Sequence, residues 1–145
     1  MKYLFMTLLL LSGTGCLNFG SDIETDSPTE EQITFCREVM HISDGIDIEP
    51  LGLRILGSGI DDAVWFKFET AESDLSALFD EEFVPADSLE GDVSFHSGDE
   101  MPEWWDAGNR TFTGGTVPLQ GGTWITVGFQ KEENRTICYV FWHET

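Results

Sequence analysis

Residues 136–143 read Thr-Ile-Cys-Tyr-Val-Phe-Trp-His, and this stretch decides the fold class. In an extended chain, successive side chains point to opposite faces. Apolar side chains would then occupy both faces: Ile137, Tyr139 and Phe141 on one, and Cys138, Val140 and Trp142 on the other. A strand that is apolar on both faces is typical of the middle of a sheet that is covered on both sides. We therefore predict a sheet with residues 136–143 as a central strand.

Three further stretches show the alternation that is typical of strands. Each stretch has an apolar side chain at every second position, so that these side chains share one face: Leu51, Leu53 and Ile55; Val64, Phe66 and Phe68; and Ile125, Val127 and Phe129. The first two stretches predict a hairpin. Its connection, residues 57–62, is too long for a tight two-residue turn.

Two short helices are predicted beside these strands. Residues 27–30 read Ser-Pro-Thr-Glu, a capping-box pattern with proline at the first helical position, and residues 33–40 then place apolar side chains near one helical face. An extended conformation of this first segment is the competing interpretation. After Ser73, a cap candidate, residues 75–79 carry apolar side chains at helical spacing.

Together these elements predict an α+β fold, with an antiparallel sheet of about four to six strands and one or two short helices packed on it. The chain has 11 Phe and 5 Trp, enough large apolar side chains for a core of this size. We assign residues 28–145 to a single globular domain, in which residues 80–101 form an acidic loop.

The N-terminal residues have the pattern of an export signal. Lys2 is followed by an apolar run over residues 4–11 and then by small residues. This order is that of a secretory signal peptide, and the run is far short of the ~20 residues that a transmembrane helix needs. We predict that residues 1–15 are a signal peptide.

The end of this signal resembles the lipobox of bacterial lipoproteins, with a glycine directly before Cys16. The resemblance covers residues 1–17 and departs from the usual motif at Gly13, where the family carries leucine. It implies that Cys16 carries acyl chains such as palmitate and anchors the chain to a membrane. Leu17 is not the aspartate that retains such lipoproteins at the inner membrane, so the resemblance implies the outer membrane or cell surface. Cleavage without lipidation is the alternative.

The net charge of the chain limits the classes of molecule that can bind it. The chain has 27 acidic and 7 basic residues, a formal net charge of −20. Such a surface repels nucleic-acid phosphates and anionic lipid headgroups. We therefore expect no nucleic-acid partner, contact with the membrane through the lipid anchor, and a basic envelope protein as the complementary partner. Residues 16–27 are small and acidic and would form a tether. Charge that only keeps the domain soluble is the plainer alternative.

The cysteine count is odd. If Cys16 carries lipid, Cys36 and Cys138 remain as a pair, and a disulfide between them would stabilise the fold by ~2–4 kcal/mol. Two buried free thiols are the alternative, and the sequence leaves both open. Neither spacing resembles a zinc site, so we assign no metal and no cofactor.

Residues 102–108 read Pro-Glu-Trp-Trp-Asp-Ala-Gly and are the most unusual local feature. If exposed, Trp104 and Trp105 would form a stacking platform for a sugar ring, with Glu103 and Asp106 bonding its hydroxyls. Alternatively, the rings fold back as a lid over the sheet. The segment also weakly resembles part of a group of small exported bacterial proteins of unknown function, which implies an architecture and no chemistry.

No catalytic motif is present, so no catalytic residue is assigned. His41, His96 and His143 are far apart in sequence, and His96 is the best candidate for a base because polar residues surround it. We predict a lipid-anchored cell-envelope protein with a binding or structural role. The alternative is a small carbohydrate-binding or glycan-hydrolysing domain that uses Trp104, Trp105 and the neighbouring carboxylates.

Overall fold

Seven antiparallel strands form one sheet in the computed structural model, which describes residues 22–57, 62–96 and 100–145. In chain order the strands are β1 (Ile23–Thr25), β2 (Glu49–Leu56), β3 (Ala63–Thr70), β4 (Gly91–Ser94), β5 (Thr111–Pro118), β6 (Thr123–Lys131) and β7 (Thr136–Glu144). The helical elements are α1 (Glu30–Val39), α2 (Leu75–Leu78) and a 3-10 turn (Ala86–Leu89). None of the helices in these ranges has the length and apolarity needed to cross a bilayer. Cys16 and the predicted signal peptide lie outside the described residues.

Strand β7 is the centre of the sheet. The strand order is β1-β2-β3-β7-β6-β5-β4, so three strands lie on each side of β7. It pairs in register with β3 on one side and with β6 on the other. Its residues 136–140 are all buried. The prediction of a central strand that is covered on both faces is confirmed.

The predicted count of four to six strands is too low. The strands not predicted are β1, with three residues, β4, with four, and β5, which contains Gly114 and Gly115. β1 lies within the predicted tether of residues 16–27, and β4 lies within the predicted loop of residues 80–101. These segments have too few alternating apolar side chains to be recognised, and they become strands because a neighbouring strand pairs with them. The coarser prediction, an antiparallel sheet with few helices, is confirmed.

Both predicted helices form, each with a cap that differs from the predicted one. The Thr29 side chain accepts a hydrogen bond from the Gln32 backbone at 3.3 Å, and the Gln32 side chain accepts one from the Thr29 N–H at 2.9 Å. The capping box therefore begins at Thr29 and not at Ser27, because Gln32 is the residue that reaches back. Helix α2 is capped by Asp74, one residue after the predicted Ser73.

The two faces of the sheet carry separate apolar clusters. The first face, under α1, carries the larger cluster, whose strand residues include Val64, Phe66, Phe68, Ile125, Val127, Phe129, Cys138 and Val140. The second face carries the smaller cluster of Phe95, Trp105, Ala107, Phe112, Ile137 and Tyr139. The predicted alternation along β3, β6 and β7 is confirmed, since apolar residues at every second position of each strand belong to the first cluster, and the alternate residues Ile137 and Tyr139 of β7 belong to the second.

Cys36 and Cys138 belong to the same apolar cluster on the first face. Cys36 projects from α1 and Cys138 from β7, and the structure holds both as buried free thiols. Burial raises the pKa of each thiol. The structure thus departs from the disulfide alternative, because each sulfur fills apolar space as a neutral thiol.

Candidate functional site

The segment that carries the two adjacent tryptophans covers the second face of the sheet. We call residues 100–110 the lid. A bridge between Gly108 of the lid and Phe95, which directly follows β4, joins the lid to the sheet. Within the lid, Trp105 is only 3% exposed, whereas Trp104 is half-buried and Glu103 is exposed. The geometry favours the alternative in which the rings fold back over the sheet.

A row of glycines lets the lid lie close to the strands. One register row crosses six strands and has glycine at four of its positions: Gly52, Lys67, Tyr139, Gly128, Gly114 and Gly91. A Cβ at Gly52 would collide with the Trp104 indole. A Cβ at Gly128 would lie 2.9 Å from both Phe95 and Phe112. The missing side chains therefore make the space that the aromatic rings of the second face occupy.

The two tryptophan rings do not form one flat surface. Their planes meet at 88°, with centroids 6.1 Å apart. Trp105 packs edge-to-face against Phe95 at 5.2 Å and against Tyr139 at 5.5 Å. Its indole nitrogen is buried without a hydrogen-bond partner among the described residues. A sugar ring would need two coplanar, accessible faces to stack on both rings, and this arrangement does not supply them.

Asp106 fastens the lid to the two central strands. Its Oδ1 accepts a hydrogen bond from Lys67 Nζ on β3 at 2.8 Å and another from the Tyr139 hydroxyl on β7 at 2.8 Å. Lys67 also donates to the backbone oxygen of Trp104 at 2.9 Å. The ammonium group is nearly buried, with a side-chain exposure of 11%. This network satisfies a cation that would otherwise be costly to bury.

Two arginines hold the ends of the lid. Arg54 on β2 donates to the backbone oxygen of Glu100 at 2.7 Å. At the other end, Arg110 donates to the Tyr139 hydroxyl at 3.2 Å and to the side chain of Gln130, and it lies 3.6 Å from Asp106 Oδ2. The lid is thus tied to the sheet at its start, its middle and its end by charged groups.

Asp106 and Tyr139 keep their ordinary protonation states at neutral pH. Burial opposes ionisation of Asp106, but the hydrogen bonds from Lys67 and Tyr139 and the Lys67 charge outweigh it and lower the pKa. Burial, together with the bond to Asp106, raises the pKa of Tyr139. Asp106 is therefore a carboxylate that accepts, and Tyr139 is a neutral phenol that donates. This chemistry positions the lid and leaves no activated nucleophile in it.

Beside the lid, part of the second face is open and forms a groove of about 320 Å³. We call the following eight residues the groove: Trp65, Ser94, Phe95, His96, Thr116, Thr126, Phe141 and His143. Four of them occupy one register row across β3, β7, β6 and β5: Trp65, Phe141, Thr126 and Thr116. On this face of the sheet, the row is next to the one that carries Lys67 and Tyr139, so the groove lies beside the residues that fasten the lid.

A stack of planar groups forms one wall of the groove. Phe141 stacks on Trp65 at 4.8 Å and on His143 at 4.9 Å. The guanidinium of Arg54 lies 5.5 Å from the Trp65 ring centre, on the β2 side of that ring. These neighbours cover part of the ring faces of Trp65 and Phe141.

The polar part of the groove comes from hydroxyls and imidazoles. The Oγ1 atoms of Thr116 and Thr126 are 3.0 Å apart, and either can donate. His96 and His143, separated by 47 positions of sequence, both line the groove, whereas His41 lies elsewhere, stacked on Phe83 at 4.1 Å. The sequence identifies the histidines but does not predict that His96 and His143 lie in one groove. Strand alternation gives the face on which a residue lies and not its neighbours on other strands.

No group of three or more His, Cys, Asp or Glu side chains in the described ranges is placed to hold a metal ion. No protein-family model, curated protein or solved structure matches the chain significantly.

Proposed function

We propose that this chain is an exported binding domain of the cell envelope, held at a membrane by lipid on Cys16, and that the groove is its binding surface. The groove supports this proposal because it is the part of the second face where aromatic and hydroxyl side chains line open space. Binding sites in proteins are typically concave and aromatic-lined, with a few polar groups that orient the ligand.

The way the lid is fastened favours binding over catalysis. Lys67, Tyr139 and Asp106 satisfy one another and hold the lid on the second face beside the groove. A rigid wall lowers the entropy that a ligand must overcome on binding. The surface charge adds a preference for partners that are neutral or basic over acidic ones.

The alternative that uses Trp104 and Trp105 as a sugar platform has less support. Trp105 is buried, the ring planes are perpendicular, and Asp106 is engaged by Lys67. A hydrolytic version would need Asp106 to act on a substrate, and it would first have to leave this ion pair. The groove offers a binding surface without that cost.

The anchor is tested by intact-mass measurement of the protein extracted from membranes. A mass that includes two or three acyl chains, mapped to Cys16, is the expected result. A Cys16→Ser variant should leave the membrane fraction. An unmodified wild-type chain in the soluble fraction would rule out the lipid anchor.

The binding surface is tested by photo-crosslinking in intact cells. A photoreactive residue at Thr116, exposed on the groove side of β5, should give discrete crosslinked products. The matched control is Thr113, which is also exposed on β5. Thr113 is three residues before Thr116, so the alternation of the strand places its side chain on the opposite, first face. Equal products from both positions, or none from Thr116, would contradict the proposal.

A further inference from the structure

Among the described residues, those that line the groove are uncharged apart from its two histidines, although the chain is rich in charge. Its eight residues include no Asp, Glu, Lys or Arg, whereas the whole chain has 27 acidic and 7 basic residues. A groove built for a cation would carry a carboxylate, and one built for an anion would carry a lysine or arginine. The composition of the groove therefore indicates an uncharged ligand.

The aromatic wall selects among uncharged ligands. Phe141 stacks on both Trp65 and His143, so its ring edge is the part that we expect a ligand to meet. The edge of an aromatic ring is the electropositive part of its quadrupole and favours contact with ligand oxygens. A flat aromatic ligand would instead need a free ring face, and the faces of Trp65 and Phe141 are partly covered.

The remaining wall suits a ligand that is rich in hydroxyl groups. Thr116 and Thr126 can each donate or accept a hydrogen bond, as can Ser94, and each of the two imidazoles carries two ring nitrogens that form hydrogen bonds. A volume of about 320 Å³ is at the lower end of the ~300–1,000 Å³ typical of ligand sites. This space fits a small ring with hydroxyl groups around it.

We infer that the groove binds a neutral saccharide, with one sugar ring between the stack of Trp65 and Phe141 and the hydroxyls of Thr116 and Thr126. The inference rests on the proposed binding function and names its ligand class. The chain's net charge of −20 adds a penalty against acidic sugars.

The second face extends this site by one further row. Trp124 on β6 is the register partner of His143, so their side chains share the second face. Trp124 is 37% exposed, whereas the other large apolar side chains of the described residues are more buried. It provides a surface on which a second sugar ring of the same ligand would pack. An oligosaccharide should therefore bind more tightly than its monomer.

The experiment is an NMR titration of the isotope-labelled protein, purified from membranes in a detergent without a sugar headgroup. The neutral probes are N-acetylglucosamine, its trimer and maltotriose. The charged probes are trigalacturonic acid and the trimer of glucosamine, and indole serves as the aromatic probe. We expect at least one neutral trimer to shift the amides of Thr116, Thr126 and Phe141, and to bind more tightly than either charged trimer.

Two variants with a matched control locate the site. Thr116→Val removes a hydroxyl and should weaken binding of the neutral trimer about fivefold, the value of one hydrogen bond. Trp124→Ala should weaken the trimer several-fold and leave the monomer unchanged. Thr113→Val, the same change on the opposite face of β5, should have no effect on either ligand.

The outcomes separate this inference from the proposed function. If crosslinking from Thr116 succeeds but no neutral saccharide shifts the groove amides, the saccharide inference is overturned and the binding function stands. Tighter binding of indole or of a charged trimer also overturns it. If a neutral trimer binds with the predicted variant effects but Thr116 gives no crosslink in cells, the ligand class stands and the envelope role fails.

Discussion

Lys67 Nζ and Asp106 Oδ1 lie 2.8 Å apart although 39 positions of sequence separate the two residues. Lys67 comes from the interior of the sheet and Asp106 from the lid, so this contact fastens the middle of the lid to the second face. The Lys67 side chain is 11% exposed and that of Asp106 is 56% exposed, so the lysine depends on the pair more than the aspartate does.

Replacing Asp106 should therefore loosen the lid. Asp106→Asn keeps the side-chain shape but removes the charge that balances Lys67. We expect a loss of about 1–2 kcal/mol in the free energy of unfolding, at the modest end because the carboxylate is partly solvated. Chemical denaturation measures it, with Glu103→Gln, an exposed carboxylate of the same segment, as the control. Identical midpoints for wild type and Asp106→Asn would show that the pair does not hold the lid.

The same pair predicts an acid response. The pKa of Asp106 in the folded protein is lower than its ordinary value, the net result of burial that raises it and of the Lys67 and Tyr139 bonds that lower it more. The folded state therefore binds this proton less readily than the unfolded state. Its stabilisation is present above the ordinary carboxyl pKa and is lost as pH falls through the folded value. We expect wild type to have a higher melting temperature than Asp106→Asn at neutral pH, and this difference should disappear below pH 4. A constant difference between them would contradict this.

Glycine at position 52 should be required for closure of the lid. Gly52→Ala places a methyl group against the Trp104 indole, and relief of this overlap should cost about 1–3 kcal/mol. The Trp104 ring should then become more accessible, seen as stronger quenching of tryptophan fluorescence by acrylamide. Gly45→Ala is the control, because a Cβ there meets no atom within 4 Å. Equal quenching in the two variants would remove Gly52 from the packing of the lid.

His41 should make stability depend on pH in the mildly acidic range. Burial lowers its pKa below the ordinary value of 6.5, against a smaller opposing effect of Asp80. The neutral imidazole is favoured in the folded state, so its contribution is complete above about pH 6.5 and is lost as pH falls through the folded pKa. His41→Asn should flatten the melting temperature between pH 7 and 5. Asparagine suits the site because His41 has a positive φ of 54°.

The matched control for that substitution is His96→Asn, because His96 is exposed. It should leave the pH profile of wild type unchanged over this range. A profile for His41→Asn as steep as that of wild type would assign the acid response to another group.

Cys36 and Cys138 should behave as inert thiols in the folded protein. Both have 0% exposure, and burial raises their pKa, so a thiol reagent at pH 8 should label them only after unfolding. A reductant should leave the melting temperature unchanged. Non-reducing peptide mapping is the decisive measurement. A peptide that joins Cys36 to Cys138, or a loss of ~2–4 kcal/mol on reduction, would establish the bridge instead.

Much of the sheet could be predicted because the strands that matter most have the clearest patterns. The two-sided stretch at residues 136–143 predicted a central strand, and the first-face residues of β3 and β6 followed from alternation. The strands β1, β4 and β5 could not be predicted in the same way. Gly114 and Gly115 interrupt the pattern of β5, and β1 has three residues. Their extended structure depends on pairing with neighbours, which a local pattern does not record.

The candidate site was predictable only in part. The adjacent tryptophans attracted attention as a platform or a lid, and the choice between these depended on Gly52, which no local pattern connects to Trp104. Lys67 had no sequence signal at all, since a lysine at an alternate strand position is ordinarily solvated. Its burial follows from Asp106, which is distant in sequence.

The sequence by itself determined the alternation of apolar side chains, the large excess of acidic residues and the resemblance to a lipobox at Cys16, and it favoured a helix where the structure has α1. These properties depend on the order of neighbouring residues or on composition, and both can be read directly. Only the tertiary structure decided that Lys67 meets Asp106, that Trp104 lies on Gly52, and that Trp65, Phe141, Thr126 and Thr116 share one row. Contacts of this kind are set by strand register and order, which bring together residues that no local interaction links.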